Sequence, residues 1–299
     1  HIPVEVTDQI NVYGDVCLTS GITKTLYRNS IRMSFTDKYG NLIGHFVPSE
    51  YSQSGKTTIE QCKLYIDPVL RVETAKRFEI AGIHNMRANL RYYKKSNKRL
   101  NSSIEEMTEA IKSVNESKSI QEMMLIEARA KQIYYNCFNE ILKSEDFMFV
   151  QRTKRPPKDE INALISFGNV VLYNQILQMI WKTSLDPRIG VVHSTNKRSA
   201  SLNLDFADVF KPVVTDRLVF SLINKHQLLP KRDFSRKGAG VFLSDTGKRI
   251  YLEAFENKMD QKIVYKEMSV SYRRLLEKEI QSFTRALLSG SKYKPFKYY

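Results

Sequence analysis

Apolar and polar positions change their period about fifty residues into the chain. "VEVTDQINVYG" alternates, and "IRMSFTDKYGNLIGHFV" is two short apolar runs around a turn at 38–41. Between them, "TSGITKTLYRNS" spaces Ile22 and Leu26 for one short helix. From "SGKTTIEQCKLYIDP" onward apolar residues recur every three or four positions, Asp-Pro, Pro-Pro and Lys-Pro mark the turns, and strand signals nearly vanish. The pattern predicts an α+β protein: a small N-terminal β-sheet domain, sandwich-like, over residues 1–52, then a large all-α domain over 53–299. The chain opens at His1 inside a strand-like run, so the first strand of the sheet is expected to lack residues upstream.

Within the helical part, Ser103 with Glu106 and Ser119 with Glu122 have capping-box spacing, in which a hydroxyl takes an orphan N–H and a glutamate reaches back. Asp159 is placed to cap a long helix through "EINALISFGNVVLYNQILQMIW". Pro212 is expected to end one helix near Phe210 and start the next. "KKSNKRLNSS" (94–103) has the composition of a linker.

Charge narrows the function classes. The 299 residues carry 47 Lys+Arg against 32 Asp+Glu, a net charge of +15. That excess favours a polyanionic partner. No apolar stretch reads as a membrane span and no signal-peptide pattern opens the chain, which leaves nucleic acid as the expected partner and the cytoplasm as the expected place. The three cysteines, Cys17, Cys62 and Cys137, form neither a disulfide framework nor a CxxC zinc motif.

Against this basic background, several acids fall where apolar residues belong. In "SIQEMMLIEARAKQIYYNCFNEIL" the stripe Ile120, Met123, Met124, Ala130, Tyr134, Phe138, Ile141 includes Glu127. In "GVVHSTNKRSASLNLDFADVFKP" Asp205 and Asp208 share a helix face among Leu202, Leu204, Phe206, Val209 and Phe210, shortly after His193. Each acid alone fits a buried pair with Lys or Arg, or a solvated edge. Brought together, the carboxylates and one imidazole make a ligand set suited to Mg²⁺ or Mn²⁺, with the nitrogen favouring Mn²⁺ and positions left open for a phosphate oxygen.

These residues also carry a resemblance. "RPPKDEINALISFGNVVLYNQ", "LDPRIGVVH", "RSASLNLDFADVFKPVVTDRLVF", "LIEARAKQIYYNCF" and the ending "YKPFKYY" resemble, in order, the CRISPR spacer-acquisition (adaptation) integrase family, closest in texture to type I-B systems. The opening "IPVEVTDQINVYGDVCLTSGITKTL" and "SFTDKYGNLIGHFVP" look like that family's N-terminal β domain, so the resemblance covers essentially the whole chain. It implies that Glu127, His193 and Asp208 are metal ligands and that Asp205 is the assisting catalytic acid. Ala128 stands where glycine is common and Lys211 where arginine is usual. The implied reaction is metal-dependent transesterification, joining the 3′-OH ends of a short foreign DNA duplex to a CRISPR repeat. The implied assembly is a set of homodimers bridged by a small ferredoxin-like adaptation partner.

Two surfaces are expected to grip double-stranded DNA. Arg87, Arg91, Lys94, Lys95 and Lys98 recur at helical spacing in "HNMRANLRYYKKSNKR", with no acid between 84 and 100. Lys197, Arg198 and Lys211 flank the aspartate helix. "LPKRDFSRKG" is a weaker candidate, and the aromatic tail Tyr293, Phe296, Tyr298, Tyr299 is expected to dock on a partner. Two other readings remain: a metal-dependent nuclease acting on branched DNA in repair, and a basic architectural protein whose acids only pair with arginines.

Overall fold

The computed structural model describes residues 3–7, 9–37, 42–48, 54–94, 98–193 and 200–299. At the N-terminus, β1 (Gln9–Tyr13) runs parallel to β2 (Arg32–Thr36), and β2 pairs antiparallel with β3 (Leu42–Phe46). A parallel pair needs a crossover, and α1 (Ser20–Arg28) supplies it; its cap Thr19 accepts the Ile22 N–H at 3.4 Å. Leu26 from this helix closes a small core with Ile31 and Met33. The described strands form one three-stranded sheet rather than two facing ones. The turn at 38–41 and the expected boundary at 52/53 fall outside the described residues.

The rest of the chain is mostly helical: α2 (Gly55–Ile66), α3 (Pro68–Lys94), α4 (Asn101–Glu116), α5 (Ile120–Asn136), α6 (Phe138–Ile141), α7 (Glu160–Ile180), α8 (Leu202–Phe210), α9 (Arg217–Asn224), α10 (Pro230–Asp233), α11 (Asp245–Asp260) and α12 (Tyr272–Ser289). Two hairpins interrupt it, β4 (Phe234–Lys237) with β5 (Gly240–Leu243) and β6 (Lys262–Tyr265) with β7 (Met268–Ser271). An all-α reading of this part therefore needs correction in two places. Each hairpin strand has four residues, too short for alternation to stand out from the helical pattern around it.

Local capping is mixed. Asp159 caps α7, its Oδ1 accepting the Asn162 N–H at 2.7 Å. Ser119 caps α5 through the Glu122 N–H, while Glu122 reaches back to the N–H of Lys118. Ser103 is not a cap, because α4 already starts at Asn101 within the segment whose composition suggested a linker. Pro212 does end α8, and a π-helical turn (Pro212–Asp216) leads into α9.

Helix α7 is long and apolar enough to cross a membrane by length and composition, contrary to the sequence expectation, but 83% of its apolar window is buried inside the protein. The N-terminal sheet sits on its C-terminal end. Gln178 donates to Asn11 (2.6 Å) and Ser34 (2.8 Å), Arg32 donates to the Gln178 carbonyl, and His45 stacks on Trp181.

Helix α3 clamps the elements that form the site. Asn85 donates to the carbonyls of Val209 and Phe296, and Asn89 donates to Pro212 O and the Tyr134 hydroxyl. Gly82 faces the backbone of α8 so closely that a Cβ there would lie 3.3 Å from Asp208 O. Two of the four tail aromatics pack on their own chain rather than on a partner: Tyr293 and Phe296 are buried, with Phe296 stacked on Phe210, whereas Tyr299 is exposed.

Glu279 on α12 holds that tail, accepting from the Tyr293 hydroxyl and from Phe296 N–H. Burial pushes its carboxyl up to about 7, against the pull of these hydrogen bonds. The folded state thus keeps a proton that the unfolded chain releases near ~4.3. Stability from this group is complete below that value and is lost as pH rises through about 7. Urea midpoints measured from pH 5 to 8 should fall with rising pH, and Glu279→Gln should flatten this part of the slope.

Candidate active site

Asp205 sits in the first turn of α8 with a fully buried side chain. Both its oxygens are taken by the chain itself. Oδ2 accepts the N–H groups of Val191 (2.6 Å) and Val192 (3.3 Å), and Oδ1 accepts the N–H of His193 (3.0 Å) and lies 2.7 Å from its Nδ1. The strand of chain delivering His193 is fixed from the other side by Arg71, whose Nε donates to Val191 O, and by Gln61, which bonds Asp186 and Ile189. Both oxygens of Asp205 are thus engaged by the chain's own donors, and its carboxylate holds the imidazole. With Nδ1 committed, Nε2 is the nitrogen left to face outward.

That Nε2 faces Asp208, 3.9 Å from its Oδ2. Asp208 lies one turn after Asp205 and meets two ammonium groups, Lys211 and Lys131, the latter at 3.3 Å. Burial works to raise the Asp208 carboxyl, but Lys131, Lys211 and His193 outweigh it and hold the group well below the usual carboxylate range. Lys131 also binds Glu127, one turn earlier on α5. Glu127 moves the other way, pushed up by burial and by Asp208 against the pull of Lys131. Burial works to lower the His193 imidazole, but the hydrogen bond and charge of Asp205, with the charge of Asp208, bring it above its ordinary value.

Glu127, His193 and Asp208, separated by as many as 81 residues in the chain, line one small cavity of about 20 Å³ and also border a large cleft beside it. Glu79 on α3 lines the small cavity too, buried among Phe78, Ile83 and Met86. Among the described residues no three of His, Cys, Asp and Glu form a ready-made ligand cluster. Ammonium groups stand between the carboxylates instead. As chemistry, two carboxylates and an oriented imidazole suit Mg²⁺ or Mn²⁺, and the bridging Lys131 marks the gap between Glu127 and Asp208 as a place where positive charge is stable.

Next to this cavity opens a cleft of about 1790 Å³ between α5, α7, β5 and α11. Arg152, Lys154, Arg155, Lys237 and Lys248 line it together with Tyr135, Tyr173 and Phe242. Burial and the nearby charges of Arg152, Lys131 and Lys211 lower the Lys154 ammonium, the mark of a crowded positive field. Of these, only Lys237 falls in a stretch singled out from the sequence, although "QRTKRPPK" (151–158) is as basic as the first of those stretches.

The residues expected to grip DNA are dispersed. Arg87 is partly buried and donates to Thr108 at 3.0 Å, while Arg91 and Lys94 are exposed on the same helix. Lys297 from the tail joins this group, since Arg87, Arg91 and Lys297 all add to the burial that lowers His84 to about 4. Lys211 is half-buried at the edge of the cleft, donates to Asp208 and lies over the Tyr173 ring, 4.7 Å from its centroid. Lys95, Lys197, Arg198 and the side chain of Lys98 lie outside the described residues. In "LPKRDFSRKG", Arg232 pairs with Asp233.

A β-sheet docked on a helical body, with a carboxylate–imidazole cavity beside a cationic cleft, has the build of an enzyme acting on nucleic acid. The family model for CRISPR associated protein Cas1 matches residues 1–257, and the chain belongs to that family. It is 38% identical over 298 residues to the CRISPR-associated endonuclease Cas1 2 of Thermodesulfovibrio yellowstonii, covering 99% of this chain and 90% of the relative. It is 34% identical over 295 residues to the CRISPR-associated endonuclease Cas1 of Haloferax volcanii, covering 98% and 88%. Among solved structures, a Cas1 protein from Thermotoga maritima superposes with TM-score 0.85 at 34% identity, over 99% of this chain and 91% of that one. A casposase bound to integration product shares the fold, with TM-score 0.85 at 22% identity over 98% and 82%.

Proposed function

We propose that this chain joins the 3′-OH ends of short foreign DNA duplexes to a CRISPR repeat by transesterification, with Mg²⁺ or Mn²⁺ held by Glu127, His193 and Asp208. The observation that carries the reading is His193, fixed through Nδ1 by Asp205 and presenting Nε2 toward Asp208 beside a cleft lined with cations. When bound, the metal polarises the target phosphate and makes the 3′-hydroxyl more acidic. The chain's own residues do the positioning. The hydroxyl gives up its proton as its oxygen attacks phosphorus in line, a new P–O bond forms, the P–O bond opposite it breaks, and the target strand's leaving oxygen takes up a proton. Arg152, Lys154 and Lys248 bind phosphates along the cleft. The patch of Arg87, Arg91, Lys94 and Lys297 is a second, sequence-independent phosphate grip.

The active assembly on this reading is a homodimer pair bridged by a small ferredoxin-like partner in the cytoplasm. Its support is the family, together with the fold shared with a chain of a Cas6-RT-Cas1–Cas2 complex (TM-score 0.83, 21% identity, covering 98% of this chain and 32% of that one). The curated relatives' name, endonuclease, favours one alternative, a metal-dependent nuclease acting on branched DNA. A labelled short duplex incubated with a supercoiled repeat plasmid, metal and the partner separates the two. Joined product is expected from the integrase; cutting without joining would favour the nuclease.

A further inference from the structure

The carboxylates proposed to hold the metal already hold a cation. Lys131, one helical turn after Glu127 on α5, pairs with Glu127 and lies 3.3 Å from Asp208. An ammonium and a divalent ion cannot both sit between these two groups, because charges a few ångströms apart in a poorly solvated site repel strongly. Either the metal is excluded or the ammonium leaves.

The structure offers a place for it to go. Glu79 is 6% exposed and lines the same cavity as Lys131. The ~20 Å³ of that cavity leaves room for about one water-sized group. Lysine has a flexible four-carbon stem able to carry its charge across such a gap without backbone movement. Burial, then the charge of Glu127, pushes the Glu79 carboxyl well above its ordinary value, against the pull of Lys131.

We propose that Lys131 is the resident counter-ion of the site, displaced when the divalent metal binds, and that Glu79 is the group that receives its ammonium. The inference rests on the reading of Glu127, His193 and Asp208 as metal ligands. Lys131 and Glu79 are positioning residues: neither touches the reacting atoms. The exchange sets metal affinity by competition between the ammonium and the metal for the same two carboxylates.

The test is Mn²⁺ affinity of the full chain, measured calorimetrically without DNA. Lys131→Met removes the competitor and should bind Mn²⁺ at least about tenfold more tightly than wild type, a difference of ~1.4 kcal/mol. Glu79→Gln should bind several-fold more weakly, and this loss should vanish in the Lys131→Met background, since the two act through one exchange. Unchanged or weaker binding by Lys131→Met overturns the proposal, as does a Glu79→Gln loss that persists in the double variant. If the variants do not fold, a Mn²⁺-loaded crystal structure of the wild type decides. Lys131 turned to Glu79 supports the exchange; Lys131 still between Glu127 and Asp208 beside bound metal overturns it. Wild type that binds no Mn²⁺ would remove the metal-site reading itself, an outcome distinct from bound metal with an unmoved Lys131.

Discussion

Asp205→Asn should lower the rate of DNA joining about 100-fold or more, although Asp205 faces neither metal nor substrate. Its two oxygens receive three backbone N–H groups and the His193 Nδ1. An amide keeps one oxygen and turns an NH₂ toward groups that are themselves donors. The imidazole then loses the partner that fixes its tautomer, and Nε2 no longer points reliably at the cavity. The loss should fall on turnover, with DNA affinity little changed, because the cleft cations do not depend on Asp205. Stability should fall as well, by about 2 kcal/mol, since buried N–H groups are left unpaired. Single-turnover rates, DNA binding and urea unfolding on the same preparation check all three. Full activity in a folded Asp205→Asn protein would refute the orienting role.

Gly247→Ala is expected to cost stability well away from the site. A Cβ on Gly247 would lie 2.3 Å from the carbonyl oxygen of Asp233 and 3.1 Å from its carbonyl carbon. The neighbour is backbone and is tied in place: Asp233 O accepts the Ser244 N–H at 2.8 Å, and its carboxylate accepts Leu229 N–H and Arg232. Nothing nearby can yield cheaply, so α10 and α11 must separate. A loss of about 3 kcal/mol is expected. Gly44→Ala is the control, because no atom lies within 4 Å of a Cβ there; the denaturation midpoint should hardly move.

The four acids and the histidine show how sequence and structure share the information. Glu127 was visible because it interrupts an apolar stripe, and Asp208 because it shares a face with Asp205 among large apolar residues; the metal roles came from the family resemblance. The division of labour between the aspartates was not visible. It depends on which carboxylate the 190–193 backbone folds over, and spacing of three residues puts both on one face alike. Lys131 was within reach, four positions after Glu127 on the same helix, a spacing that makes ion pairs. Glu79 was not, since an acid between Phe78 and Ile80 gains meaning only when α3 lies against α5 and α8. Exposure explains the basic surfaces: composition announced a polyanionic partner, but Lys211 serves Asp208, and the cleft cations come from segments as far apart as Arg152 and Lys248. The short hairpins β4–β5 and β6–β7 escaped for want of length.

The most direct test of the central claim compares wild type and His193→Ala in the joining reaction, each with Mn²⁺ or Mg²⁺ and with chelator. The account predicts joined product from wild type with metal, and none from the variant or with chelator, while both proteins bind DNA equally. Joining that survives His193→Ala would contradict the assignment of Glu127, His193 and Asp208 as the metal site.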